Sequence, residues 1–179
     1  SINYRAYALD LWGFGDTARH PGGYSLEQQV NLLDSFLQEM GIGKIALIGH
    51  DLGGIVALLF AIRHSRLVDR LMVVSLPRDP QSIHPRLRNA TLNDLADWLF
   101  GRDPESEAAK AEASKIDPPA IQLTLDEVQS LLADQWIHEL SIPCLMVHGL
   151  SDPLINPSPQ DLSGPLPQYI HQIIFEQSG

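Results

Sequence analysis

The residues best placed to do chemistry lie in one short stretch, IALIGHDLGGIVALLF, with Lys44 just ahead of it. An apolar run of strand length leads into Gly49-His50-Asp51-Leu52-Gly53, and a helix-like apolar run comes next. The pattern of small residue, any residue, nucleophile, any residue, small residue is that of a nucleophile elbow. Its requirement is steric: a strained turn holds Asp51 above the sheet, so Gly49 and Gly53 are expected to lack side chains for that reason. Gly54 is expected to let the following helix pack closely. The helix N-terminus favours an anion at Asp51, and the Leu52 backbone N–H is a candidate oxyanion donor. The alternative role for Asp51 is a plain helix N-cap, which Asp often fills.

The surrounding elements must hold this turn in place. Tyr4 to Leu9 reads as a strand ending at Asp10, followed by a glycine loop through Gly13, Gly15, Gly22 and Gly23. Ser25 with Gln28 is a capping-box start, and Leu26, Val30, Leu33, Leu37 and Met40 share one helical face up to Gly41. Arg70 to Ser75 is the next strand. From Pro77 to about His138 the chain turns charged and loses its strand runs. Helices are expected there over Thr91–Phe100, over Glu105–Lys115 as a solvated helix, and from Thr124 with Glu127 onward, carrying Val128, Leu131 and Leu132. Asp117-Pro118-Pro119 reads as a breaker. Strand patterns return at Ile142–His148 and Gln168–Phe175.

This alternation predicts an α/β fold: a mostly parallel sheet with helices on both faces. It divides the chain into three segments: residues 1–76 as the first part of the core, 77–138 as an inserted helical lid, and 139–179 as the second part of the core. An insertion leaving a strand's carboxyl end is placed to roof the site that such sheets build there. Trp98 and Trp136 are candidate pocket residues in that insertion, although aromatics at helical spacing are more often core.

Composition narrows the function classes. Twelve Lys+Arg against 22 Asp+Glu over 179 residues give a net charge of −10. That argues against nucleic acid or an anionic membrane surface as partner. No apolar run reaches the roughly 20 residues a membrane-spanning helix needs. The lone Cys144 allows no intrachain disulfide. No histidine cluster has ligand spacing and no glycine-rich phosphate loop carries a Lys, so no metal or cofactor is expected. A small-molecule substrate and a cytoplasmic setting are the expectations, and the oligomeric state is not legible.

Taken together, the motifs resemble the α/β-hydrolase fold family, in its epoxide hydrolase and haloalkane dehalogenase branch. YALDLWGFGDT (7–17) resembles the family's strand-end loop, and GHDLGG resembles the elbow of the branch that carries Asp where esterases carry Ser. IPCLMVHGLSDPL resembles the late strand and acid loop, which makes Asp152 the catalytic acid by resemblance. IIFEQSG resembles the segment ahead of the family's catalytic His, so the resemblance puts the base after Gly179. On that reading the 179-residue chain alone is expected to be inactive. His148 beside the acid loop is expected to be structural, and His50 to bond locally.

An Asp nucleophile implies attack on an alkyl carbon, expelling halide or opening an epoxide, with an ester left on the enzyme. Leu52 stands where many members of this branch carry Trp, and residues 77–138 contain no tyrosine to protonate an epoxide oxygen. Two alternatives therefore stay open: a non-catalytic binding protein on the same fold, and an acyl hydrolase in which water attacks.

Overall fold

The computed structural model describes residues 4–101, 106–129, 133–157 and 162–178. Four strands form one sheet: β1 (Ile45–His50), β2 (Val68–Val74), β3 (Cys144–Gly149) and β4 (Ile170–Phe175). They lie side by side in chain order, and every pairing is parallel. Val73 stands opposite both Gly49 and Met146, and the β1–β2 register shifts once, between Ile45 and Ala46.

Helix α1 (Leu26–Glu39) precedes β1, and α2 (Leu52–Arg63) joins β1 to β2. The Ser25 side chain accepts the Gln28 N–H, as the capping box predicts. Past α1, Gly41 adopts φ 65° and Ile42 N–H bonds back to the Leu37 carbonyl at 2.9 Å, closing the helix. Helix α2 is apolar nearly all round because it is buried on several sides: Phe60 and Ala61 are fully covered. Its Ile55 and Leu58 share a core with Leu71, Val73, Cys144 and Met146. The opposite strand faces are open at Ile48, Ile173 and Phe175.

Between β2 and β3 the chain forms helices α3 (Arg86–Asn89), α4 (Leu92–Phe100), α5 (Glu107–Ala113), α6 (Pro118–Gln129) and α7 (Ala133–Glu139). The Thr91 side chain caps α4 by accepting Asp94 N–H. Glu105, Leu131 and Leu132, assigned to helices from sequence, lie outside the described residues.

Two expectations need correction. Tyr4–Leu9 joins no strand ladder, and Tyr4 is 88% exposed. Its residue types suit a strand, but a strand exists only with a hydrogen-bonding neighbour. The second correction concerns α6, which starts at Pro118, where a break was expected. Proline lacks an N–H, and the first helical turn has no use for one, so the same residue opens a helix. Thr124 therefore sits inside α6, its hydroxyl donating to the Ala120 carbonyl at 2.8 Å. Glu127 instead accepts Leu26 N–H at 2.6 Å, at the start of α1.

Candidate active site

The turn between β1 and α2 has the strained form expected of an elbow. Asp51 has φ 48° and ψ −117°, in a region that residues with a side chain rarely occupy. Its N–H bonds to the Val74 carbonyl at 3.0 Å, and its own carbonyl accepts Gly54 N–H at 3.0 Å. Gly49 is obligatory here: a Cβ on it would stand 2.3 Å from the Gly53 carbonyl oxygen. A Cβ on Gly54 would touch Gly49 O and Leu76 at 3.4 Å. Gly53 departs from expectation, because a Cβ there would meet nothing within 4 Å. The crowding in this turn is one-sided: the Gly53 backbone presses on Gly49, while the outer side of Gly53 is open.

Asp51 does not cap α2 with its side chain. Its Oδ1 is buried and, among the described residues, has no hydrogen-bond partner. Burial pushes the carboxyl up to about 6; the neighbouring His50 opposes the shift and Asp152 adds to it. His50 Nδ1 lies 3.6 Å from Asp51 Oδ2, with the His50 side chain 64% exposed. The Leu52 N–H is at the first helical position, where helix geometry supplies no acceptor.

Asp152 is brought to the same place from the loop after β3. Its Oδ1 accepts Leu154 N–H at 2.8 Å and Ile155 N–H at 3.0 Å. Its Oδ2 accepts the hydroxyl of Ser75. Ser75 directly follows β2 with φ 51° and is buried. Sequence reasoning missed it, although a small polar residue directly after an apolar strand was the available signal. His50, Asp51 and Asp152 each offer a donor atom, and these lie within 4.8 Å of one another. This trio has the spacing to grip a cation. The resemblance already places Asp51 and Asp152 in one site, and the structure adds His50 to them. His148 is buried on β3.

Beside Asp51 opens a cavity of about 580 Å³. Asp51 and Leu52 line it, with Asp10 and Gly15 from the first loop and Leu154 and Ile155 from the acid loop. The rest of its wall comes largely from the helices between β2 and β3, including Leu92, Leu95 and Leu99 of α4. Glu112 and Ala113 of α5 also reach it, so the helix read from composition as merely solvated has an inner face. Trp98 and Trp136 are not among the lining residues, which corrects the expectation. Helical spacing turns Trp98 off the face of Leu95 and Leu99. It packs against His84, ring centroids 4.8 Å apart, and under the Arg86 guanidinium at 4.9 Å. Trp136 packs against the core.

Comparison with known proteins agrees with this architecture. A family model described as alpha/beta hydrolase fold matches residues 2–117. The chain is 27% identical over 177 residues to 2-hydroxy-6-oxo-6-(2'-aminophenyl)hexa-2,4-dienoic acid hydrolase of Metapseudomonas resinovorans, covering 86% of this chain and 59% of that one. It is 40% identical over 76 residues to epoxide hydrolase 4 of Homo sapiens, covering 41% of this chain and 21% of that one. The chain thus spans less than two thirds of the length of these relatives. Among solved structures, an esterase from Exiguobacterium antarcticum superposes with a TM-score of 0.78 at 13% identity, covering 95% of this chain and 72% of that one. Among the described residues no helix is long and apolar enough to cross a membrane. With the left-handed turn at Asp51 and the first parallel strand pair inside the matched residues, the chain belongs to the alpha/beta hydrolase fold family.

Proposed function

We propose that this chain carries the nucleophilic half of a hydrolase that works through an alkyl-enzyme ester on Asp51, with a small apolar epoxide or halide as substrate. The observation that carries the reading is Asp51 itself: a carboxylate on a strained turn, one oxygen buried without a hydrogen-bond partner, lining an apolar cavity. An Asp51 oxygen attacks an alkyl carbon. The new C–O bond forms as the carbon–halogen bond or one epoxide C–O bond breaks, and the leaving atom takes the electron pair. Water then cleaves the ester, returning the Asp51 carboxylate and releasing an alcohol and a proton. Asp152 is the acid that orients the base of this second step, and the Leu52 N–H faces the charge that develops during ester cleavage. Residues 77–138 act as the lid, between core parts 1–76 and 139–179, and supply most of the cavity wall.

The attacking species is the carboxylate anion. Adduct formation should therefore fall as the pH drops through about 6, where Asp51 takes up its proton. The decisive experiment incubates the chain with an aryl epoxide or a primary haloalkane and maps the adduct by mass spectrometry. The expected result is one ester on Asp51 and none on the Asp51→Asn protein. An unlabelled wild type, or equal labelling of Asp51→Asn, would sink the proposal. The second reading is hydrolysis at a carbonyl by an attacking water. It is favoured by the 86% coverage of this chain by a relative named as a dienoic acid hydrolase. Turnover of esters that survives in Asp51→Asn would support that reading instead.

A further inference from the structure

The wall of the cavity is sorted by charge as well as by polarity. Its apolar part comes from four regions: Ile55 behind the elbow, Leu92, Leu95 and Leu99 on α4, Leu125 on α6 and Ile155 after β3. Its ionisable part, among the described residues, is Asp10, Asp51 and Glu112, with no lysine, arginine or histidine. Neutral polar groups are scarce as well. The Thr124 hydroxyl spends its proton on the Ala120 carbonyl at 2.8 Å. Lys115 lies outside the wall and is held by Glu112 at 2.9 Å and Asp16 at 3.0 Å.

An anion entering this space gives up its hydration and, among the described wall side chains, meets carboxyl groups and no cation, the Leu52 N–H at the elbow aside. A charge buried without a partner is disfavoured far more than the apolar groups beside it are favoured. An uncharged chain has no such cost, and each methylene it buries tightens binding by about fourfold. We infer that the cavity takes uncharged apolar molecules and rejects carboxylates of the same length. This rests on the reading of the cavity as the chamber that serves Asp51, and it narrows the substrate to a neutral molecule.

The test uses the whole chain at pH 8 and a neutral fluorescent probe, N-phenyl-1-naphthylamine, displaced by decanol, octanol or decanoate below their aggregation limits. Decanol should displace the probe, octanol about fifteenfold more weakly, and decanoate more than tenfold more weakly than decanol. A decanol analogue with a mid-chain diazirine should label the peptide spanning Leu92–Phe100. Decanoate binding within tenfold of decanol, or a label confined to peptides outside the cavity wall, would overturn the inference. The outcome is separable from the adduct experiment. Charge selectivity without an Asp51 ester sinks the nucleophile alone, and an Asp51 ester without charge selectivity sinks this inference alone.

Discussion

Two neighbouring strand ends in this molecule use the same backbone conformation for opposite purposes. Asp51 after β1 and Ser75 after β2 have φ 48° and 51°, and they are the two non-glycine residues with positive φ among those described. Each continues the parallel ladder by one bond: Asp51 N–H to the Val74 carbonyl at 3.0 Å, and Ser75 N–H to the Val147 carbonyl at 2.9 Å. Each conformation costs on the order of 1–3 kcal/mol. Beyond that bond the two ends diverge. The chain enters a helix at once after Asp51, which leaves a carboxylate oxygen buried and, among the described residues, without a hydrogen bond. After Ser75 the chain leaves for the helical insertion, and the hydroxyl is committed to Asp152. Strain at the first end holds a group away from partners; strain at the second end holds a group on one.

Substitutions can break or sharpen that contrast. The largest effect is expected at Gly49→Ala, whose Cβ would overlap the Gly53 carbonyl at 2.3 Å. It should cost at least about 4 kcal/mol or prevent folding, read by thermal or urea denaturation. Its control is Gly53→Ala, which meets open space and should stabilise α2 by up to about 1 kcal/mol. Equal losses at both positions would show that the crowding is not one-sided.

Asp51→Asn comes next and has a sign. Because burial raises the folded carboxyl from 3.8 to about 6, the native state holds its proton more tightly than the unfolded chain does. The contribution of Asp51 to stability is therefore most favourable below about pH 4, declines as pH rises through about 6, and stays lower above, by about 3 kcal/mol. Asp51→Asn should recover up to that amount at pH 8 and little at pH 4, as measured by urea midpoints at the two pH values. A gap that does not change with pH would mean that Asp51 is not held against its charge.

Ser75→Ala is the smallest change. Losing the hydroxyl that donates to Asp152 should cost about 2 kcal/mol. Ser75→Gly should cost less, because it also relieves the positive φ. If Ser75→Gly proves the worse of the two, strain is not the shared feature of these strand ends.

Sequence reading went furthest where a local pattern had one physical solution. A glycine-bounded turn between an apolar strand and an apolar helix left Asp51 little choice of place, and the Ser25 cap and Gly41 stop acted through their nearest neighbours. Reading failed where a residue's role depends on distant chain. Tyr4–Leu9 has strand composition and no ladder. Thr124 and Glu127 spell a capping box, but Pro118 had already opened that helix and Glu127 bonds to Leu26. Trp98 was visible as an aromatic, but which face of α4 would meet a cavity was not. Ser75 and the acidic lining at Glu112 became visible only when separate segments closed on one another.

The helices between β2 and β3 are fastened to the loop that precedes α1. Tyr24 donates its hydroxyl to Asp117, and Leu26 N–H bonds to Glu127, across 93 and 101 residues of chain. Asp117 N–H returns to the Gly13 carbonyl at 2.8 Å, and Lys115 pairs with Asp16 at 3.0 Å. Contacts of such sequence separation form late and slowly, because the loop they close must first lose its freedom. The chamber beside Asp51 therefore has an order of assembly. The strand-turn-helix that carries the carboxylate can form from neighbouring residues, whereas its apolar walls must wait for the two distant segments to meet. Until then the folding chain would show Leu92, Leu95 and Leu99 to water, the interval in which it is most exposed to aggregation.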